Sequence, residues 1–157
     1  MESSFEKLLV RLADADVQFL VVGGVAVTLH GYVRLTEDVD ILIQHEPDNV
    51  ARLLHALSSY GEGFARELSA NDFTDEEGAI RIVEETEQCQ LDVFTRMSGW
   101  RFADLIQDAE RFVLASRTIR YASKTALLRL KENSAREKDR LDASALRQLL
   151  ENPKAFE

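Results

Sequence analysis

The sequence has little with which to staple, kink or anchor itself. It contains one cysteine, Cys89. No disulfide can therefore close within the chain, which fits a reducing compartment. Its two prolines and seven glycines are scattered, leaving no linker, repeat or low-complexity tract that would divide the chain. No apolar run approaches the length of a membrane span, and none follows a basic start as a secretory signal would. The expected location is the cytoplasm, with no membrane partner. Positive charge is also scarce. Nineteen Lys and Arg against 28 Asp and Glu give a net charge of −9, which argues against a surface that holds nucleic acid by charge alone.

What remains is an ordinary globular composition, 45% hydrophobic and 30% charged, in 157 residues. That length suits one domain with a real core. The charge is uneven. Residues 1–110 hold 22 acids and eight bases, whereas residues 111–140 hold nine bases and three acids. Such a division suits an acidic half that holds cations facing a basic segment that meets phosphates; a solvated basic helix face is the other reading.

The stretch Phe19 to Ile43 organises the rest. Phe19 to Val22 reads as a buried strand, Gly23-Gly24 as a turn, Val25 to Leu29 as a short helix, and a second strand starts at Asp38. Asp38 and Asp40, two apart, point to one face of that strand, while Val39, Ile41 and Ile43 take the other. Paired carboxylates in a mostly buried strand are costly unless a cation neutralises them, and a hard divalent ion such as magnesium takes oxygen ligands. The double glycine exposes backbone N–H groups where a strand becomes a helix, a place that suits a phosphate. Arg34, in the loop between them, has an anionic partner at hand.

At this spacing, Gly23-Gly24 followed by Asp38-Val39-Asp40-Ile41, the sequence resembles nucleotidyltransferases of the DNA polymerase beta superfamily. Ala26, His30, Gly31, Arg34 and Thr36 extend the likeness to small bacterial members, among them the AbiEii-type toxins of abortive-infection systems. The resemblance implies a third carboxylate on a later strand. Asp92, in the run Leu91-Asp92-Val93-Phe94, matches, with Glu84 or Glu85 as the fallback. The run Lys131, Arg136, Lys138, Asp139, Asp142 is similar to a closing K, R-x-K-D-x-x-D pattern and adds Lys131 and Lys138 as nucleotide contacts.

Along the chain, Ser3 to Glu6 has a capping-box pattern that opens a helix running to about Ala15 with Leu8, Leu9 and Leu12 inward. Glu46-Pro47-Asp48 starts another, ended by Gly61. A short strand is expected at Gly63 to Glu67, and a hairpin from Ala79 to Glu84 and Gln88 to Thr95. Trp100 to Ala109 reads as a helix, and Phe112 to Leu114 and Thr118 to Tyr121 as strand-like pieces. Ser123 opens a helix that breaks near Asn133, and a last helix carries Leu141, Ala145 and Leu149 inward. His30, His45 and His55 are read as structural.

The expected fold is α+β: a mixed sheet carrying Asp38, Asp40 and Asp92, covered by helices, with the C-terminal helices closing the cleft. Residues 1–157 form a single domain in this reading, with 123–152 as a helical extension. The resemblance implies transfer of a nucleoside monophosphate from a nucleoside triphosphate to an acceptor hydroxyl, releasing pyrophosphate. Asp38, Asp40 and Asp92 would be catalytic and bind magnesium, two ions in all; Gly23, Gly24, Arg34, Thr36, Lys131 and Lys138 would meet the nucleotide. RNA, a protein side chain and a small hydroxylated molecule remain open as acceptors, and a cognate antitoxin as partner. The alternative from another class is an inactive module that only senses nucleotide or binds a partner.

Overall fold

The computed structural model describes residues 4–32, 38–60, 64–84, 89–132, 134 and 136–157. Its centre is a six-stranded mixed sheet in the order β3-β4-β2-β1-β6-β5. The strands are β1 (Phe19–Val22), β2 (Asp38–Ile43), β3 (Ile80–Glu84), β4 (Cys89–Phe94), β5 (Glu110–Leu114) and β6 (Arg117–Tyr121). The helices are α1 (Ser4–Asp14), α2 (Gly23–Leu29), α3 (Pro47–Leu57), α4 (Phe102–Leu105), α5 (Lys124–Lys131) and α6 (Glu137–Glu151). The α+β class read from the sequence is the class observed. Among the described residues, no helix is long and apolar enough to cross a membrane.

The two innermost strands are apolar because both of their faces are covered. All four residues of β1 are buried, and β2 is buried except at Asp38 and Asp40. Leu20, Val21, Ile41 and Leu42 are completely enclosed. Leu8, Leu9 and Leu12 bury one stripe of α1, and Val50, Leu53 and Leu57 one stripe of α3. Asn49 pins α3 to the sheet. Buried completely, its Oδ1 accepts from the Gln18 amide at 2.7 Å and its Nδ2 donates to the carbonyls of Gln18 at 3.0 Å and Gln44 at 2.8 Å.

Strand pairing brings distant sequence together. β1 runs antiparallel to β2 with Val22 opposite Asp40, and β2 runs parallel to β4 with Asp40 opposite Asp92. β3 returns antiparallel to β4 with Arg81 opposite Asp92. The expected hairpin is therefore present; its turn lies outside the described residues, as do Ser3 and Gly61. The strand-like pieces after Ala109 form a hairpin of their own, turned at Ala115 (φ 49°) and Ser116 (φ 66°), and β6 joins β1 in parallel.

Three expectations need correction. Phe64–Glu67 is a 3-10 turn, not a strand; the run lacks β-branched residues and alternation, and alanine, arginine and glutamate favour helical turns. The helix expected from Trp100 is broken into α4 and a 3-10 turn at Ile106–Asp108, with Phe102 and Leu105 as its buried anchors. In α6 the buried stripe is turned one position from the one expected: Leu141 is 55% exposed, and Asp142 is buried in its stead beside Ala145 and Leu149. An ion pair, described below, explains the exchange.

Candidate active site

The acids stand at the end of β2 and β4 nearest the glycine turn, and one oxygen from each of Asp38, Asp40 and Asp92 lies within 4.8 Å of the others. Period-two geometry puts Asp38 and Asp40 on one face of β2, and the parallel register adds Asp92 beside Asp40. Asp92 is almost wholly buried, while Asp38 and Asp40 are partly open.

Crowding shows in the chemistry of Asp40. Burial first, then the charges of Asp38 and Asp92 and a hydrogen bond with Asp38, push its carboxyl up to about 7; Lys131 pulls the other way. Such a cluster of carboxylates is a ready oxygen-ligand set for a hard divalent cation.

Gly23 completes the same corner. Its φ of +67° is one that side chains rarely adopt, and a β-carbon there would come within 2.1 Å of Asp40 Oδ2. The turn is thus packed against the acid itself. α2 starts at Gly23, and its N-cap residue Val22 makes no side-chain hydrogen bond to the first turn, which stands beside the acids. Gly24 is buried in the first turn of α2.

From this corner a cleft of about 490 Å³ opens along α5 and the start of α6, lined by Gly23, Asp40, Trp100, Arg129, Lys131 and Arg136 among others. Lys131 is buried and donates to Asp139 Oδ1 at 3.1 Å, and its Nζ lies 2.9 Å from Asp142 Oδ2. Asp142, completely enclosed, needs that charge, which is why α6 turns it inward instead of Leu141. Burial would raise the Asp139 carboxyl, but the Ser134 hydroxyl, Lys131 and Arg136 together hold it below its ordinary value. Arg129 lies over the Trp100 ring, 5.5 Å from its centre, and both line the cleft.

The structure gathers Gly23, Gly24, Asp38, Asp40, Asp92 and Lys131 around one corner and its cleft. Arg34 and Thr36 lie outside the described residues. Lys138 is exposed on α6 and does not line the cleft. The basic segment is divided as well: Arg129, Lys131 and Arg136 face the cleft, whereas Arg117 pairs with Asp14. His30 is structural, with Nε2 donating to the Ala122 carbonyl at 2.8 Å and Nδ1 at 3.1 Å from Glu110. His45 Nε2 donates to the Phe73 carbonyl at 2.8 Å.

Sequence reasoning missed Arg81, whose guanidinium grips Asp92 from β3. It also missed the Trp100 and Arg129 wall. Arg81 carried a signal, since it sits on one arm of the expected hairpin with Asp92 on the other, but the register was needed to place them opposite one another. Nothing around Trp100 distinguished it from a core residue.

Comparison with solved structures shows the fold. ANT(2")-Ia, crystallised in complex with adenylyl-2"-tobramycin, superposes with a TM-score of 0.54 at 15% identity, over 97% of this chain and 91% of that one. The solution structure of the same factor gives 0.54 at 15% identity, over 99% and 90%. An antigenic nucleotidyltransferase-like protein from Paracoccidioides brasiliensis gives 0.52 at 17% identity, over 92% and 73%. Comparison with curated proteins yields no match. Residues 2–156 match the family described as nucleotidyl transferase of unknown function (DUF2204), and the chain belongs to that family.

Proposed function

We infer that the protein transfers a nucleoside monophosphate from a nucleoside triphosphate to an acceptor hydroxyl, with magnesium as cofactor. The carrying observation is the meeting of three carboxylates within 4.8 Å, with Gly23 packed on one of them. The family and the fold support the reaction class. Residues 1–157 act in this reading as one domain, with 123–152 as a helical extension that supplies one wall of the cleft.

The metal fits the residues present: oxygen ligands, excess negative charge, and an Asp40 carboxyl raised by its neighbours. Asp38, Asp40 and Asp92 would hold magnesium, which would supply positive charge to the oxygens of the reacting phosphate. The chain does the rest by position. Gly23 and Gly24 offer backbone N–H groups to the phosphates, and Lys131, fixed by Asp139 and Asp142, places an ammonium on the cleft wall. The acceptor oxygen bonds to the α-phosphorus as the bond to the β-phosphate oxygen breaks, and pyrophosphate leaves. The acceptor's proton passes to a carboxylate oxygen of Asp92. No covalent enzyme intermediate is needed.

The AbiEii-type run around Arg34 and Thr36 favours an RNA or protein acceptor and a cognate antitoxin. The fold shared with a protein solved with adenylyl-2"-tobramycin favours a small hydroxylated acceptor. Incubating the protein with each labelled triphosphate, magnesium and separate RNA, protein and small-molecule fractions of a cell extract distinguishes them. Label in one fraction, absent with Asp40→Asn, names the acceptor class; no label in any fraction contradicts the reading. One observation favours the rival reading of an inactive nucleotide sensor: Arg81 already occupies both oxygens of Asp92.

A further inference from the structure

Arg81 stands at the edge of the sheet with its side chain 61% exposed, yet its head is directed inward. Nε donates to Asp92 Oδ1 at 3.0 Å and Nη2 to Asp92 Oδ2 at 3.4 Å, a fork on a carboxylate whose own side chain is only 6% exposed. The pairing is imposed by register, since Arg81 faces Asp92 across β3 and β4 as Asp92 faces Asp40 across β4 and β2. A row of arginine, aspartate and aspartate therefore crosses three strands, with Asp38 beside its end.

Among the described residues, Lys131 and Arg81 are cations that neighbour this cluster. Lys131 is committed to Asp139 and Asp142 and reaches Asp40 only through space. Arg81 is in direct contact with the cluster through Asp92. Each carboxylate oxygen accepts about two hydrogen bonds or metal contacts, so Arg81, with Gln90 Nε2 also donating to Oδ2 at 3.5 Å, leaves Asp92 room for a metal contact at Oδ1. What it does not leave is the charge. A guanidinium on one ligand repels any divalent ion held by that ligand.

We propose that Arg81 is an internal counter-ion of the acid cluster, fixing Asp92 in the metal-free protein and weakening the cluster's grip on a divalent cation. This rests on the metal-binding reading of Asp38, Asp40 and Asp92. It also answers the rival reading, because an arginine on the rim of the sheet tunes the site without filling it. Firm loading of metal then awaits the triphosphate, whose negative charge outweighs that of one guanidinium.

The test is titration with manganese alone, following the free ion by its electron paramagnetic resonance signal. Arg81→Gln is expected to bind manganese about tenfold more tightly than the wild type, since one repelling charge is gone. Arg81→Lys, which keeps the charge and loses the fork, is expected to stay within about threefold of the wild type. In an Asp92→Asn background the effect of Arg81→Gln should shrink, because the guanidinium is no longer held against the cluster. Equal or weaker binding by Arg81→Gln overturns the counter-ion role while leaving the metal site standing. Manganese bound by neither the wild type nor Arg81→Gln takes down the metal site and the proposal together. The exposed position of Arg81 on an edge strand makes folded variants the expectation, and Arg81→Lys supplies the comparison if glutamine perturbs the strand.

Discussion

Gly23 and Asp40 are in direct contact across the first turn of α2, and the backbone of one leaves no space for a β-carbon beside the carboxylate of the other. The glycine signature and the acid signature are therefore one structural feature. Gly23→Ala has to place a methyl 2.1 Å from Asp40 Oδ2 while holding a φ of +67°. We expect a loss of about 1–3 kcal/mol from backbone strain and overpacking. Because Asp40 must move to relieve it, magnesium should also cease to raise the melting temperature of this variant. A Gly23→Ala protein with wild-type stability and an intact magnesium response would show that the contact is not needed.

The raised carboxyl of Asp40 gives stability a sign with pH. Its pKa goes from an ordinary 3.8 to about 7 in the folded protein, through burial and then through Asp38 and Asp92. Between those values the folded state holds a proton that the unfolded chain has released, so rising pH destabilises the metal-free protein. Magnesium stabilises the charged form and opposes this, so its stabilising effect should grow over the same window. Thermal melts at about pH 5 and pH 8, with and without magnesium, check it. The magnesium-induced rise should be larger at the higher pH for the wild type and small at both for Asp40→Asn; equal rises at both pH values would contradict the assignment.

Lys131 and Asp142 form a pair that the fold cannot easily do without. Asp142 is completely enclosed and Lys131 nearly so, and removing the ammonium takes an opposite charge away from a buried carboxylate. Lys131→Met is expected to cost about 3–5 kcal/mol, read by chemical denaturation. Asp142→Asn, which removes the charge that needs a partner and leaves Lys131 bound to Asp139, should cost clearly less. The reverse order would mean that the pair is not organised around Asp142.

These contacts also show what a sequence of this kind makes legible. Period-two parity put Asp38 and Asp40 on one face because β2 is a regular strand, and the apolar run around Asp92 marked a second buried strand. Both statements depend only on neighbours in sequence. Arg81 was invisible for the opposite reason: its meaning lies in register, fixed by a hairpin turn and not by composition. Leu141 misled because a leucine at helical spacing outranks an aspartate in any apolar stripe, until Lys131 arrives from another helix to neutralise it. The segment at Phe64–Glu67 misled because a short run opened by a glycine looks like the start of a strand, whereas its residues favour a helical turn. Asn49 passed as one more helix residue, since the hydrogen bonds that pin it to the sheet go to backbone at the ends of β1 and β2.

The central claim is that the acid cluster performs phosphoryl chemistry instead of merely sensing nucleotide. Asp40→Asn keeps the shape of the side chain and removes a charge that would hold the metal. Transfer of label from an α-labelled nucleoside triphosphate should fall by about a thousandfold or more, as loss of several kcal/mol of transition-state stabilisation requires. Nucleotide binding, measured by calorimetry on the same sample, should survive in part because the glycine turn and Lys131 are untouched. Label transfer by Asp40→Asn equal to that of the wild type would contradict the account.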